Sequence, residues 1–279
     1  MIVLENEALS KYTTIKIGGT AEKMYFPQNA EDLTYLYEHG KLHHVISGGS
    51  NLLINNRVFD SVVNLKELDD SIINLGNGRF EVGASLRLQK LINEINRNGY
   101  GGIEYLYSVP GMVGGAVAMN AGLGKRIGAC ISDYILSVKV FRDGKVIQLS
   151  KDECAFRFRN SIFKNTDSIV ISVVFSFPPM SEEESSKAKK ERIEKCRLTQ
   201  DNSLPNFGSV FSVYSSMLMK WVKKTKMGTK HVHFSSKTSN WLLNDGSGSF
   251  DEALRTIKKV EKIHHFFGKN IKREVVVWE

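Results

Sequence analysis

The stretch Val109 to Gly122 reads VPGMVGGAVAMNAG, and no other part of the chain says as much about its fold. Four of its residues are glycine, most of the others are small, and none carries a charge. Glycine adopts positive φ angles and lets a ligand approach the main chain, so the stretch predicts backbone amides presented to an anion or a flat cofactor. For this stretch alone the alternative, a tight crossing between packed strands, stays open.

The pattern matches neither of two common phosphate-binding loops. It lacks the Gly-Lys-Ser/Thr ending of a P-loop. It also lacks the features of a Rossmann loop, which follows a strand, opens a helix and has an acidic residue about 20 positions further on. Two further Gly-Gly pairs lie in IKIGGTAEKMYFP (Ile15 to Pro27) and ISGGSNLLINN (Ile46 to Asn56). Three such loops beside strands favour a pocket where backbone amides, Ser50 and Asn51 meet the phosphates of a dinucleotide.

Length and composition are those of a globular protein of about two domains, with 279 residues, 42% of them hydrophobic. The net charge of +8 and the basic run from Lys220 to Lys230 fit a multiply charged small ligand. A nucleic-acid partner is not expected, because aromatic-glycine signatures and zinc-finger spacings are missing from the sequence. No apolar run approaches the roughly 20 residues of a membrane span, so we expect no membrane partner and a cytoplasmic location. Oligomeric state is not indicated.

The cysteines predict neither a disulfide framework nor a metal site. Cys130, Cys154 and Cys196 are odd in number and far apart in sequence, without the paired spacing of zinc ligands. We expect each to be a small buried hydrophobe, and for Cys196 the charged stretch around it leaves partial exposure open as an alternative.

Short β-type runs alternate with helices in the first two thirds of the chain, which predicts an α+β fold. The expected strands are His44 to Ser47, Val62 to Leu65, Phe80 to Val82, Ile135 to Phe141, Lys145 to Leu149 and Ile169 to Phe177. The expected helices are Ala30 to His39 and Leu86 to Asn98. Asp143-Gly144 between two strands predicts a tight hairpin turn.

The character of the chain changes after Pro178-Pro179, where we place a domain boundary. Ser181 and Glu184 form a Ser-x-x-Glu capping box that predicts a highly charged helix to about Arg197. The expected elements beyond it are a loop at Pro205 to Val213, a helix near Met217 to Lys226, a strand at Val232 to Ser235, a helix near Phe250 to Phe267 and a strand at Val275 to Trp278.

Five motifs together resemble the UDP-N-acetylenolpyruvoylglucosamine reductase family. They are GGSNLL (Gly48 to Leu53), VPGMVGGAVAMNAG (Val109 to Gly122), FRNSIF (Phe158 to Phe163), GSVF (Gly208 to Phe211) and REV (Arg273 to Val275). Their order and approximate spacing match over nearly the whole chain. The short interval from Phe163 to Ile169 resembles the shorter of the two subtypes of that family.

The resemblance implies a fold, a cofactor and a donor of electrons. Residues 1 to 179 would form a flavin-binding domain of the vanillyl-alcohol-oxidase (PCMH) type with two α+β subdomains, and residues 180 to 279 a smaller α+β substrate domain. The implied cofactor is FAD with NADPH as donor, and the FAD would be non-covalent because Ser50 cannot tether a flavin. The implied cofactor contacts are Gly48, Gly49, Ser50, Asn51, Leu52, Pro110, Gly111, Gly114, Gly115, Ala116, Asn120, Ala121 and Gly122.

The resemblance also implies three catalytic residues, Arg159, Ser209 and Glu274. In the implied reaction a hydride adds to the methylene carbon of an enolpyruvyl ether, and negative charge moves toward the adjoining carboxylate. Arg159 would bind that charge, a protonated Glu274 would donate a hydrogen bond to the same group, and Ser209 would protonate the α carbon. Taken singly, each has an ordinary structural interpretation as a surface ion pair, a turn cap or a solubilising strand-end charge.

The sequence departs from the family pattern in its substrate half. Phe158 replaces a tyrosine, Ser212 to Tyr214 replace a Lys-Asn-Pro run, and Thr238 and Ser239 replace two residues before Asn240. We therefore expect Lys220, Lys224 and Asn240 to contact the substrate. A paralogue acting on another enolpyruvyl or nucleotide-sugar substrate, and a non-catalytic flavin or nucleotide-sugar binding protein, remain as alternatives.

Overall fold

The computed structural model describes residues 1–123, 128–164 and 166–279, which divide into two compact units. Unit 1 comprises Met1–Leu4, Lys23–Gly48 and Ser61–Cys196, and unit 2 comprises Glu5–Glu22, Gly49–Asp60 and Arg197–Glu279. This division by packing differs from the boundary expected after Pro179, because two early segments pack with the C-terminal part of the chain. A division into cofactor and substrate domains stays a prediction.

The structure confirms the α+β class. Its strands are β1 (Ile2–Ala8), β2 (Thr20–Phe26), β3 (Val45–Ile46), β4 (Leu52–Ile54), β5 (Val58–Asn64), β6 (Ile72–Gly76), β7 (Arg79–Gly83), β8 (Ile135–Arg142), β9 (Lys145–Ser150), β10 (Ile169–Ser176), β11 (Asn206–Ser209), β12 (Phe211–Val213), β13 (Val232–Phe234), β14 (Trp241–Asn244), β15 (Lys272–Arg273) and β16 (Val276–Trp278). Its helices are α1 (Ala30–Glu38), α2 (Leu88–Arg97), α3 (Val113–Ala118), α4 (Glu182–Thr199), α5 (Ser216–Lys224) and α6 (Phe250–Phe266).

Unit 1 contains a five-stranded antiparallel sheet in the order β6-β7-β10-β8-β9. Helix α2 packs its fully buried residues Leu88, Leu91, Ile92 and Ile95 into the core that also holds Phe80 and Phe175 of this sheet. Their recurrence near a period of 3.6 explains why this helix was predictable from sequence. A second sheet, in the order β1-β2-β5-β3, has three strands that cross from one unit to the other along the chain.

Unit 2 contains a three-stranded antiparallel sheet in the order β11-β14-β13 and two short pairs. Strand β12 pairs with β15, and β16 runs parallel to β4, with Val276 opposite Leu52. Helix α6 begins at a capping box of Ser249 and Glu252 and buries Ile257 and Val260 in the core of this unit. Strand β4 thus depends on a partner that is distant in sequence, whereas the start of α6 is fixed locally.

The predicted helices and most predicted strands are confirmed to within a few residues. Asp143 (φ +51°) and Gly144 (φ +74°) form the expected turn, and Arg142 pairs with Lys145. The capping box is also present, because Ser181 N donates to Glu184 Oε2 at 2.9 Å.

Three expectations were wrong. Pro205 to Val213 is not a loop, because β11 and β12 pair with β14 and β15. Cys130 is half-buried rather than buried, whereas Cys196 is buried as expected. The glycine stretch does contain a helix, α3, whose Val113 and Val117 are fully buried. Glycine disfavours helix by about 1 kcal/mol per residue, so packing rather than propensity explains α3.

The helices of the described residues include none with the length and apolar character to cross a bilayer. Asn165, inside the short interval after Phe163, lies outside the described residues.

Candidate functional site

The glycine stretch is held against unit 1 by its own main chain. Val113 N donates to Leu86 O at 2.9 Å, and Gly114 N donates to Ala84 O at 2.8 Å. A Cβ added to Gly114 would lie 2.9 Å from Ala84 Cβ, which is too close for a side chain. Gly114 is therefore a glycine because the helix packs closely here, and its amide is already used inside the fold.

A different part of the same stretch is open. A Cβ on Gly48 would lie 3.4 Å from Gly111 Cα, so two glycine loops run side by side in unit 1. A Cβ on Gly115 would meet only Ser47 Oγ, at 3.9 Å, within the 4 Å around it. This uncovered main chain, bordered by small residues, has the form that a flat phosphate-bearing cofactor requires. The residues present therefore fit FAD.

The second glycine of the GGSN motif, Gly49, is required by the packing of unit 2. Gly49 has φ +58°, and a Cβ there would lie 1.8 Å from Tyr12 O. Its carbonyl accepts a hydrogen bond from Thr14 N at 3.1 Å. Ser50 is half-buried, and the following residues continue directly into β4, where Leu52 lies opposite Val276.

The end of the glycine stretch is folded tightly onto neighbouring loops of unit 1. Ala121 N donates to Ala116 O at 2.8 Å, and Ala121 O accepts from Ile131 N at 2.8 Å. A Cβ on Gly122 would lie 2.2 Å from Ala129 O. Asn120 is 3% exposed and has φ +43°. These residues shape the loop from inside it.

Arg159 lies at the third position of a turn in unit 1. Asn160 N donates to Arg157 O at 3.0 Å, and Arg157 N donates to Asn160 O at 2.9 Å. Arg159 has φ +53°, a left-handed conformation that is uncommon for residues other than glycine. Such conformations persist only where the surrounding structure imposes them, and they cluster at functional sites.

Ser209 and Glu274 are brought together in unit 2. Ser209 ends β11, and the carbonyl of the next residue, Val210, accepts from Glu274 N at 2.8 Å. Asn51 Nδ2 donates to Glu274 O at 3.2 Å. The main chain of Glu274 is thus held on two sides, and two of the three predicted catalytic residues lie on adjoining segments.

The three residues expected to contact substrate differ in their surroundings. Lys220 and Lys224 are exposed on α5, which buries Leu218 and Val222 on its other side. Asn240 is 3% exposed, and its amide pairs with the main chain of Phe211 through both polar atoms, at 2.9 and 2.7 Å. The side chain of Asn240 therefore fixes the strand that follows Ser209.

Sequence reasoning did not identify two residues of unit 1 with buried polar groups. Ser161 is 3% exposed and donates from Oγ to Ala118 O at 2.7 Å. The Tyr105 hydroxyl is buried and has no hydrogen-bond partner among the described residues. Burial, followed by the charges of Tyr134 and Asp133, raises the pKa of Tyr105 well above its ordinary value. FRNSIF already contains Ser161, whereas no pattern in the sequence marks Tyr105.

Within the described residues, no group of three or more His, Cys, Asp or Glu side chains is arranged to hold a metal ion. The cysteines of these residues are free, and Cys154 and Cys196 are buried while Cys130 is half-buried. Burial raises the pKa of the Cys154 thiol to about 11. It is therefore a protonated, unreactive side chain at neutral pH.

Comparison with known proteins assigns the class first. Residues 26–150 match the family described as FAD binding domain, which includes both glycine loops of the open surface. The molecule is thus a flavoprotein that binds FAD.

Full-length relatives then identify the family. The UDP-N-acetylenolpyruvoylglucosamine reductase of Thermotoga maritima is 32% identical over 98% of this chain and 97% of its own length. The enzyme of the same name from Carboxydothermus hydrogenoformans is 32% identical over 94% of this chain and 88% of its own length. The crystal structure of that reductase from Thermus caldophilus has a TM-score of 0.82 and 25% identity, and the match covers all of both chains. The chain belongs to the UDP-N-acetylenolpyruvoylglucosamine reductase family.

Proposed function

We propose that this chain reduces UDP-N-acetylglucosamine enolpyruvate to UDP-N-acetylmuramate, a peptidoglycan precursor, in the cytoplasm, with FAD as cofactor and NADPH as donor. The near-complete match to relatives that carry the reductase name is the observation that supports this most strongly. When bound, FAD supplies a hydride to the terminal methylene carbon of the enolpyruvyl group. The protein must hold the charge that develops on the substrate carboxylate and deliver one proton to the α carbon.

Arg159 binds the substrate carboxylate in this proposal. A guanidinium is planar, permanently charged and able to form two parallel hydrogen bonds with a carboxylate. Such a group stabilises the enediolate-like charge without having to gain or lose a proton. Arg159 has an unfavourable left-handed backbone conformation. Such strain is tolerated at functional sites, where it sets the direction of the side chain.

Ser209 and Glu274 supply the proton donor and a second contact to the substrate carboxylate. Ser209 Oγ gives its proton to the α carbon, and the Glu274 carboxyl donates a hydrogen bond to the substrate carboxylate. A serine hydroxyl is a weak acid, so a neighbouring polar group has to assist it. The hydrogen bond from Glu274 N to Val210 O, one residue after Ser209, keeps the two residues on adjoining segments.

The cofactor contacts divide into two kinds in this proposal. Gly115 approaches FAD through open main chain, Gly48, Pro110 and Gly111 belong to the two glycine loops beside it, and Ser50, in unit 2, stays a predicted contact. Of the other predicted contacts, Gly114, Ala116, Ala121 and Gly122 support that surface from within unit 1, whereas Gly49, Asn51 and Leu52 shape the loop before β4 in unit 2.

In the substrate part of the chain, Lys220 and Lys224 pair with the diphosphate of the nucleotide sugar, and Asn240 positions the strand after Ser209. Residues 1 to 179 carry the cofactor and residues 180 to 279 the substrate.

A second candidate is a paralogue that reduces a different enolpyruvyl substrate. Lys237 Nζ donates to Arg197 O at 2.8 Å, and Thr238 Oγ1 donates to Thr199 O at 2.8 Å. These side chains anchor the end of α4, and Thr238 is one of the two residues that depart from the family pattern before Asn240. This local change favours altered recognition of the sugar.

The test is a turnover measurement with purified holoenzyme, NADPH and UDP-N-acetylglucosamine enolpyruvate, following flavin and nicotinamide absorbance together. UDP-N-acetylglucosamine without the enolpyruvyl group is the matched control. Substrate-dependent NADPH oxidation supports the first candidate. Flavin that is bleached by NADPH but is not reoxidised by this substrate supports the paralogue, and a protein that does not bind FAD contradicts both.

A further inference from the structure

The turn that carries Arg159 is closed by two main-chain hydrogen bonds between Arg157 and Asn160. These bonds leave Arg159 with φ +53°, in the left-handed region that is unfavourable for a residue other than glycine. A turn of this kind relaxes unless other contacts hold it. Contacts from outside the turn must therefore contribute to the direction in which Arg159 leaves the main chain.

Two buried side chains join the turn to the glycine stretch. Asn120 Nδ2 donates to Arg157 O at 3.0 Å, and Ser161 Oγ donates to Ala118 O at 2.7 Å. Each segment thus supplies one side chain to the main chain of the other. Asn120 and Ser161 are both 3% exposed, so water does not compete for these bonds.

Asn120 also ties the stretch to a third segment. Its Oδ1 accepts from Ser132 N at 3.3 Å, next to the main-chain bonds that join Ala121 to Ile131 and Leu123 to Ala129. The amide of Asn120 therefore bridges the Arg159 turn and the segment after Gly128. Both polar atoms of the Asn120 side chain are therefore bonded to the main chain of neighbouring loops.

We propose that Asn120 and Ser161 are positioning residues, which hold Arg159 in its left-handed conformation at the end of the glycine stretch. The inference rests on the proposed function for the role of Arg159 in the reaction. It reassigns Asn120 from contact with the cofactor to support of the arginine.

Cys130 provides a measurement that needs neither substrate nor cofactor. Burial raises the pKa of the Cys130 thiol, the Asp133 carboxylate raises it further, and the Arg159 guanidinium lowers it. If Arg159 moves away, the thiol loses a stabilising charge and forms thiolate less readily. Cys130 is half-buried, whereas the other two cysteines are buried, so Cys130 should react first. Mass spectrometry of the peptides then identifies the modified cysteine.

The first experiment measures the rate of Cys130 alkylation by iodoacetamide against pH in the apoprotein. Arg159→Ala removes the guanidinium completely, so it gives the largest shift of the Cys130 rate profile to higher pH. Asn120→Gly, which tolerates φ +43°, and Ser161→Ala should shift the profile in the same direction and lower the rate at fixed pH by at least about twofold. Asn96→Ala removes another buried amide of unit 1, and its profile should match wild type.

Wild-type profiles for both Asn120→Gly and Ser161→Ala would overturn the inference. Melting temperatures of the apoproteins identify any variant that fails to fold. Ser161→Ala loses only the bond to Ala118 and one to Phe163 N, so it keeps the test decisive if Asn120→Gly is unstable.

The second experiment separates the inference from the proposed function. In single-turnover measurements, Ser161→Ala should leave flavin reduction by NADPH unchanged and slow reoxidation by the enolpyruvyl substrate about tenfold, as expected for the lost hydrogen bond to Ala118 O. In an Arg159→Ala background the same substitution should have no further effect, because it acts through the arginine. Additive effects contradict the positioning role, whereas an Arg159→Ala variant with normal reoxidation contradicts the proposed function alone.

Discussion

Ser209 occupies the last position of β11, one residue before the carbonyl that holds Glu274. Gly208 before it has φ +75°, and Gly208 N donates to Asn206 Oδ1 at 3.0 Å. A glycine with this conformation turns the chain sharply, which sets the direction of the next side chain. The local sequence and the distant Glu274 segment therefore both contribute to the position of Ser209.

Ser209→Ala should slow reoxidation of the flavin by the enolpyruvyl substrate by at least about 100-fold, because a proton donor to the α carbon is lost. Flavin reduction by NADPH should stay at the wild-type rate. Stopped-flow absorbance measures the two steps separately. Ser247→Ala, at an exposed serine of the same unit, is the control and should change neither rate. A normal reoxidation rate would remove Ser209 from the mechanism.

At the scale of elements, the five-stranded sheet of unit 1 carries an ionic network across three neighbouring strands. Glu81 Oε1 on β7 accepts from Lys139 Nζ on β8 at 3.1 Å and from Ser172 Oγ on β10 at 3.0 Å. The hydrogen bond from Lys139, followed by that from Ser172, lowers the pKa of Glu81 below its ordinary 4.5. A lowered pKa in the folded state stabilises the fold above pH 4.5, and that contribution is lost as pH falls through the lowered value.

Glu81→Gln should lower the free energy of unfolding by about 0.5 kcal/mol at pH 7, a small effect because the pair is partly exposed. The difference from wild type should shrink as pH falls through the lowered pKa of Glu81, because the wild-type carboxylate becomes protonated there. Urea denaturation at pH 7 and at pH 3 measures both values. Glu67→Gln disrupts a more exposed pair with Lys66, at 3.6 Å, and should have no effect at either pH. A difference for Glu81→Gln that grows at acid pH would contradict the assignment.

At the scale of the whole molecule, an FAD-dependent reductase should gain stability from its cofactor. A ligand at about 100 times its Kd stabilises the folded state by about 2.7 kcal/mol. Added FAD should raise the melting temperature of the apoprotein, and denaturation of the holoenzyme should release all of the flavin because it is not covalently attached.

Gly115→Leu tests the open surface in the same measurement. The added side chain meets only Ser47 Oγ near its Cβ, so the apoprotein should melt as wild type does. The space beside Gly115 is filled in the variant, so FAD should no longer raise its melting temperature. A variant that retains the full FAD-induced rise would show that the cofactor lies elsewhere.

The sequence by itself determined the elements with strong local patterns and the class of the protein. The apolar period of α2, the Asp143-Gly144 turn and the Ser181 capping box act between residues close in sequence, so they can be recognised there. The glycine motifs likewise indicated FAD, since glycine is required where main chain meets a cofactor.

Only the tertiary structure decided what depends on partners far along the chain. Helix α3 forms in a glycine-rich stretch because Gly114 packs on Ala84, and β11 and β12 exist because β14 and β15 pair with them. Ser209 approaches Glu274 through a hydrogen bond to Val210, and Asn120 supports the Arg159 turn. Residue type shows what a side chain can do, but main-chain hydrogen bonds between distant segments decide which of those roles it takes.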